Sequence, residues 1–114
     1  MLSVTVHRPE LDRTIVFLHG AGVTGWMWDA QVADLTEFRC IVIDLPGHGA
    51  NHDVPWASID ETVVLVAEVI RSAVVRADTQ DVHAVAPARV YLVGLSLGAD
   101  VGLRLLAGFP ELID

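Results

Sequence analysis

Short apolar runs alternate with helix-length patterns along this chain, and the alternation predicts βαβ units built around a parallel sheet. Leu2 to His7 sets Leu, Val and Val against Ser, Thr and His, the period of two expected of a half-exposed first strand. Arg8-Pro9-Glu10-Leu11-Asp12-Arg13 then breaks the pattern as a turn, expected to be a hairpin connection. Thr14 to Leu18 and Phe38 to Asp44 read as buried strands, with a helical pattern around Met27 to Leu35 between them. Leu45-Pro46-Gly47-His48-Gly49-Ala50-Asn51 is punctuated as a loop.

Ser58-Ile59-Asp60-Glu61 has the form of a capping box, in which the Ser58 hydroxyl accepts from the Glu61 amide while the Glu61 side chain reaches back. The helix it opens is expected to run to about Ala77, with Glu61, Glu68, Ser72 and Arg76 on its solvated face. Residues 78–88 are expected to form a loop, Arg89 to Gly94 a strand, and Leu97 to Ala107 a helix. Gly108, then Phe109-Pro110, terminates that helix: a glycine that tolerates a left-handed conformation, then a proline that cannot continue it. The predicted fold class is α/β, a mostly parallel sheet with helices on both faces.

Composition adds limits. At 114 residues the chain is long enough for one domain and short of two. Its hydrophobic fraction is 53% and its mean hydropathy +0.50. Strands apolar on both sides require such an excess, as does a surface meant to be covered by further chain. The formal charge of −8 repels a phosphate backbone and disfavours an anionic membrane surface. Nucleic acid and membrane are therefore not expected partners. Cys40, the single cysteine, has no intramolecular partner and lies in an apolar run, as a small buried hydrophobe. Residues 1–9 lack a basic stretch followed by an apolar one, and the run Val63 to Ala67 stops at Glu68. A cytoplasmic location is the expectation.

Candidate chemistry centres on Gly94-Leu95-Ser96-Leu97-Gly98, which satisfies G-x-S-x-G between an apolar strand and an amphipathic helix. A strand-to-helix reversal that tight forces the serine into a strained conformation and leaves room only for small residues two positions either side. It would lift the Ser96 hydroxyl clear of the sheet at a helix N-terminus, where backbone amides favour developing negative charge. A second motif, Val16-Phe17-Leu18-His19-Gly20-Ala21-Gly22, is a strand ending in a His-Gly turn. Acyl hydrolysis needs N–H donors aimed at a tetrahedral oxyanion; the amides expected to supply them are those of Leu97 and Ala21.

His19-Gly20-Ala21-Gly22, Trp26-Met27-Trp28, Asp44-Leu45-Pro46-Gly47-His48-Gly49 and Gly94-Leu95-Ser96-Leu97-Gly98 together resemble the α/β-hydrolase superfamily, in its order and with similar separations. The resemblance covers nearly the whole chain. It implies Ser96 as nucleophile, Ala21 and Leu97 as oxyanion donors, a mostly parallel sheet, a small-molecule acyl substrate and no cofactor. Asn51 departs from it, standing where related sequences often end this loop in serine.

In that fold the triad follows the order Ser, then Asp or Glu, then His. All five histidines, His7, His19, His48, His52 and His83, precede Ser96. Of the acids after it, Asp100 is expected to complement the helix dipole, Glu111 and Asp114 being the others. Asp114 comes too early for the triad acid. Residues 1–114 are accordingly expected to be a partial domain, without the triad acid, the histidine, the lid and the later strands, and inactive alone. Its last strand would present a hydrophobic edge open to aggregation or pairing.

His48 and His52 stand four apart in a Pro-Gly loop, with no third ligand evident, so no metal is expected. His19 is expected to orient neighbouring backbone and not to shuttle protons. Trp26 and Trp28 are expected to seat the first helix, with an acyl pocket as the alternative. The activity implied is hydrolysis of a carboxylic ester or related acyl bond by the parent protein; the rival is a non-catalytic binding module of the same fold.

Overall fold

Thr14–Leu18 and Arg39–Ile43, buried at every position, form the centre of a four-stranded sheet in the order β1-β3-β2-β4. The computed structural model describes residues 1–78 and 89–114, with side chains described for 1–73 and 89–114. The strands are β1 (Val4–His7), β2 (Thr14–Leu18), β3 (Arg39–Ile43) and β4 (Val90–Gly94). The helices are α1 (Asp29–Asp34), α2 (Ile59–Asp78) and α3 (Leu97–Gly108). Strand β2 runs parallel to both neighbours, with Leu18 opposite Ile43 on one side and Gly94 on the other.

The expected hairpin between β1 and β2 does not form. β1 pairs antiparallel with β3, Val4 opposite Ile43 and His7 opposite Cys40, so β3 lies between the first two strands. An alternating pattern shows which face a strand buries but not which strand it pairs with. Arg8 turns the chain away at φ 55°, and its guanidinium donates to the carbonyls of Val32, Leu35 and Phe38 at 2.7, 3.0 and 2.9 Å. The turn is thereby fastened to the C-terminal end of α1, where unpaired helix carbonyls need donors.

Two cores follow from the pleat, because successive residues of a strand point to opposite faces. Ile15, Phe17, Cys40 and Val42 pack with Trp28 and Val32 on one face. Val16, Leu18, Ile41 and Ile43 pack on the other, beneath Val66 and Ile70 of α2 and Val101 and Leu105 of α3. The sheet thus carries helices on both faces, as expected. The first helical segment is more irregular than its pattern suggests: a 3₁₀ turn over Gly25–Trp28 leads into the six-residue α1.

At the start of α2 the Glu61 amide donates to the Ser58 hydroxyl at 3.0 Å, one half of the expected box. Glu61 and Glu68 are exposed and Ser72 half-buried; Arg76 lies outside the described side chains, and most of the expected 78–88 loop outside the described residues. None of the helices among the described residues is long and apolar enough to cross a membrane. β4 stands at the sheet edge, where Tyr91, Leu103 and Leu106 are exposed around a groove of about 410 Å³.

Candidate active site

Three loops meet at the C-terminal ends of β2, β3 and β4, and glycines let them approach. Ser96 joins β4 to α3 with φ 55° and ψ −112°, a conformation L-residues rarely adopt. The residue is exposed, at the N-terminus of α3. A Cβ on Gly94 would lie 2.6 Å from the Gly98 carbonyl oxygen, and one on Gly98 would lie 2.7 Å from that of His19. Both are closer than real Cβ atoms come. The elbow therefore closes tightly on itself and on the end of β2.

The turn after β2 lies directly against this elbow: a Cβ on Gly20 would be 3.7 Å from that of Ser96. Ala21 is exposed at the tip of that turn and Leu97 half-buried in the first turn of α3. Among the described residues neither amide has a hydrogen-bond acceptor. Leu97 opens α3, where the first N–H groups have no partner within the helix; Gly98 N–H turns back to the Leu95 carbonyl at 2.9 Å.

His19 is completely buried beneath this turn. Leu45 N–H donates to its Nε2 at 2.9 Å, so Nε2 is unprotonated and Nδ1–H donates to the Gly20 carbonyl at 2.7 Å. Burial holds its pKa below the ordinary 6.5, with the nearby His48 adding to the effect; the Gly20 carbonyl and Asp44 oppose it. Both nitrogens are engaged with backbone, and the ring orients two loops.

The loop after β3 supplies the remaining ties. The Asp44 carboxylate accepts from Gly25 N–H at 2.7 Å and from Ala50 N–H at 2.9 Å, linking the first loop to the second. A Cβ on Gly49 would collide with that carboxylate. His48 Nε2 accepts from Gly22 N–H at 3.3 Å, its Nδ1–H faces the Pro46 carbonyl at 3.0 Å, and its ring lies 4.8 Å from that of His19. Asn51 is buried: its Nδ2 donates to the Ser3 and Asp44 carbonyls, and its Oδ1 accepts from Ser3 N–H. It ties the segment entering β1 to this loop through contacts that serine is too short to make.

The two tryptophans separate. Trp28 is buried and packs on Phe17 at 5.2 Å, whereas Trp26 is 65% exposed. Asp100 sits in the first turn of α3 and accepts from Arg104, which also reaches Asp60 on α2. Glu111 accepts from Arg71. Asp114 follows the extended Ile113, and its backbone and side chain both pair with Val90. His7 pairs opposite Cys40 in the sheet and His52 lies on the exposed side of the second loop, while His83 falls outside the described residues. Among the described residues no group of three His, Cys, Asp or Glu side chains is placed to hold a metal ion.

Sequence reasoning singled out Ser96, Ala21 and Leu97; it quoted Asp44 within a motif, weighed His48 only as a metal ligand and noted Asn51 only as a departure, and gave none of the three a positioning role. The available signal was Asp44 itself, a carboxylate at a strand end followed by a Pro- and Gly-rich loop rich in turn amides.

A model of the alpha/beta hydrolase family matches residues 15–112, and the chain belongs to that family. It is 30% identical over its whole length to a pimeloyl-[acyl-carrier protein] methyl ester esterase of Nitrosomonas europaea, of which it spans 39%. An esterase of Mycobacterium tuberculosis is 32% identical over 87% of the chain, which spans 30% of that protein. Among solved structures, a hydrolase from Pseudomonas aeruginosa superposes with a TM-score of 0.79 at 29% identity, over 99% of this chain and 39% of that one. The chain therefore spans about two fifths or less of the relatives it matches.

Proposed function

We propose that this chain supplies the nucleophile and oxyanion site of an ester hydrolase. The Ser96 hydroxyl oxygen attacks the acyl carbonyl and gives its proton to a base, while the Ala21 and Leu97 amides hold the oxyanion. Collapse of the tetrahedral intermediate expels the alcohol, which takes up that proton, and water then cleaves the acyl-enzyme to acid and free serine. The observation that carries this reading is the strained φ of 55° at Ser96, exposed beside the Gly20 turn. Such strain persists only where surrounding structure imposes it, and it clusters at active sites. The esterases among the relatives support the ester as substrate class.

Residues 1–114 are on this proposal a partial domain. His19 and His48 have both ring nitrogens turned to backbone groups, so neither is free to activate Ser96. The family order places the triad histidine after the serine and the acid, and residues 97–114 contain no histidine; on this proposal the base lies outside the segment, and the 114-residue chain alone is inactive. The same engagement of both rings favours a second reading, an α/β-hydrolase-like binding module without chemistry. A fluorophosphonate probe and a p-nitrophenyl ester, applied to the polypeptide that carries this segment with its remaining domain, separate the two. Labelling at Ser96, with turnover abolished by Ser96→Ala, is the expected result. An unlabelled Ser96 in folded protein rejects the hydrolase and leaves the binding module.

A further inference from the structure

We infer that His48 is a positioning residue for the oxyanion donor on Ala21, acting through its hydrogen bond from Gly22 N–H; the inference rests on the ester-hydrolase reading above. The turn that carries Ala21 has little to hold it. Gly22 adopts φ 79° with nothing within 4 Å of where a Cβ would lie, so no packing at Gly22 itself fixes the tip of the turn. The bond from Gly22 N–H to His48 Nε2 at 3.3 Å ties the tip of this turn to the loop after β3.

His48 is itself well placed to serve as a fixed acceptor. Its Nδ1–H faces the Pro46 carbonyl at 3.0 Å, which selects the tautomer whose Nε2 lone pair is free for Gly22. Its ring packs 4.8 Å from that of the buried His19, whose own Nε2 holds the Leu45 amide of the same loop. Two histidines in the same tautomer thus link the β2 turn to the β3 loop, one from beneath and one at the tip. His19 sets where the turn leaves the strand. His48 sets the orientation of the peptide plane next to the Ala21 amide. An oxyanion donor stabilises only if it is aimed at the place where charge develops, so loss of the tip contact weakens the transition state and spares ground-state binding.

The test uses His48→Phe, which keeps a ring against His19 but removes the acceptor, and His48→Gln, whose side-chain oxygen can accept from Gly22. In the complete polypeptide, His48→Phe is expected to lower kcat about tenfold with KM unchanged, below the roughly hundredfold loss that a 1 Å misplacement costs. His48→Gln is expected to recover most of that loss. In parallel, exchange of the Gly22 amide is expected to quicken about fivefold in the Phe variant and to stay near wild type in the Gln variant. Wild-type kcat in His48→Phe, in an enzyme that Ser96→Ala inactivates, overturns the positioning role and leaves the hydrolase reading intact. Turnover that survives Ser96→Ala removes the hydrolase reading and this inference with it. If the Phe variant does not fold, the Gln variant decides: slowed kcat with an unchanged Gly22 amide also overturns the role.

Discussion

Gly98→Ala sets two effects of opposite sign against each other. Within a helix, alanine is favoured over glycine by about 1 kcal/mol, so propensity alone predicts a more stable protein. The structure predicts the reverse. The added methyl would stand 2.6 Å from the Leu18 carbonyl carbon and 2.7 Å from the His19 oxygen, where real Cβ contacts begin at 3.0 Å. Those atoms are backbone at the end of a fully buried strand, so no side chain can swing away. Helix α3 and strand β2 must separate instead, by several tenths of an ångström. Overpacking costs about 1–3 kcal/mol where neighbours can adjust, and the upper end applies here. With propensity subtracted, a net loss of about 2 kcal/mol remains, worth a fall in Tm of roughly 8 °C for 114 residues. Thermal and urea unfolding followed by circular dichroism measure it. Gly108→Ala in the same helix is the control, since nothing lies within 4 Å of its would-be Cβ. It is expected to be neutral or stabilising by up to about 1 kcal/mol. If Gly98→Ala is as stable as Gly108→Ala, the close approach of the elbow to β2 is wrong, and with it the placement of Ser96.

Ser96→Gly is expected to stabilise the fold by about 1 kcal/mol relative to Ser96→Ala, because only glycine adopts φ 55° without strain; equal unfolding midpoints would reject the strained geometry. Arg8→Lys is expected to cost about 2 kcal/mol in urea unfolding, since an ammonium cannot span the carbonyls of Val32, Leu35 and Phe38 as the planar fork does; a loss under about 0.5 kcal/mol would reject that staple. His19 makes stability depend on pH: with its folded pKa held below 6.5, the unfolded chain binds the proton more readily. Its contribution is complete above 6.5 and is lost as pH falls from there through the lower folded value. In His19→Gln this segment of the pH–stability curve should flatten, and an unchanged slope would exclude His19 as its source.

How much could be read from the sequence depended on whether each feature was local. Thr14–Leu18 and Arg39–Ile43 were legible because two-sided burial leaves an uninterrupted apolar run. The partner of Val4–His7 was not legible: the same alternation fits pairing with β2 or β3, and Arg8 decides by contacts 24 to 30 residues away. The position of Ser96 between strand and helix was visible in five letters, since the glycine requirement is local. The ties from Asp44 and His48 were not, because their partners are the backbone amides of Gly22 and Gly25, which every sequence has. Asn51 stood out only as a departure from a familiar pattern; its burial against Ser3, 48 positions earlier, gives it a purpose.

The strain at Ser96 and the packing at Gly98 belong to one balance. A serine held at φ 55° costs about 1–3 kcal/mol, and left to itself the turn would relax to an ordinary loop conformation. What prevents this is that both flanking glycines lie against backbone, Gly94 on the turn's own Gly98 carbonyl and Gly98 on the end of β2. Leu95 N–H extends the hold by donating to the Leu18 carbonyl at 3.2 Å, and Gly98 N–H closes the bend onto the Leu95 carbonyl at 2.9 Å. Each of these contacts contributes only about 1 kcal/mol, yet relaxing Ser96 would break several together. The strained state therefore wins by cooperation of the β2–β4–α3 junction. Substitutions that separate this junction should release the serine from its conformation before they unfold the sheet, because β2 also pairs with β3 along its full length.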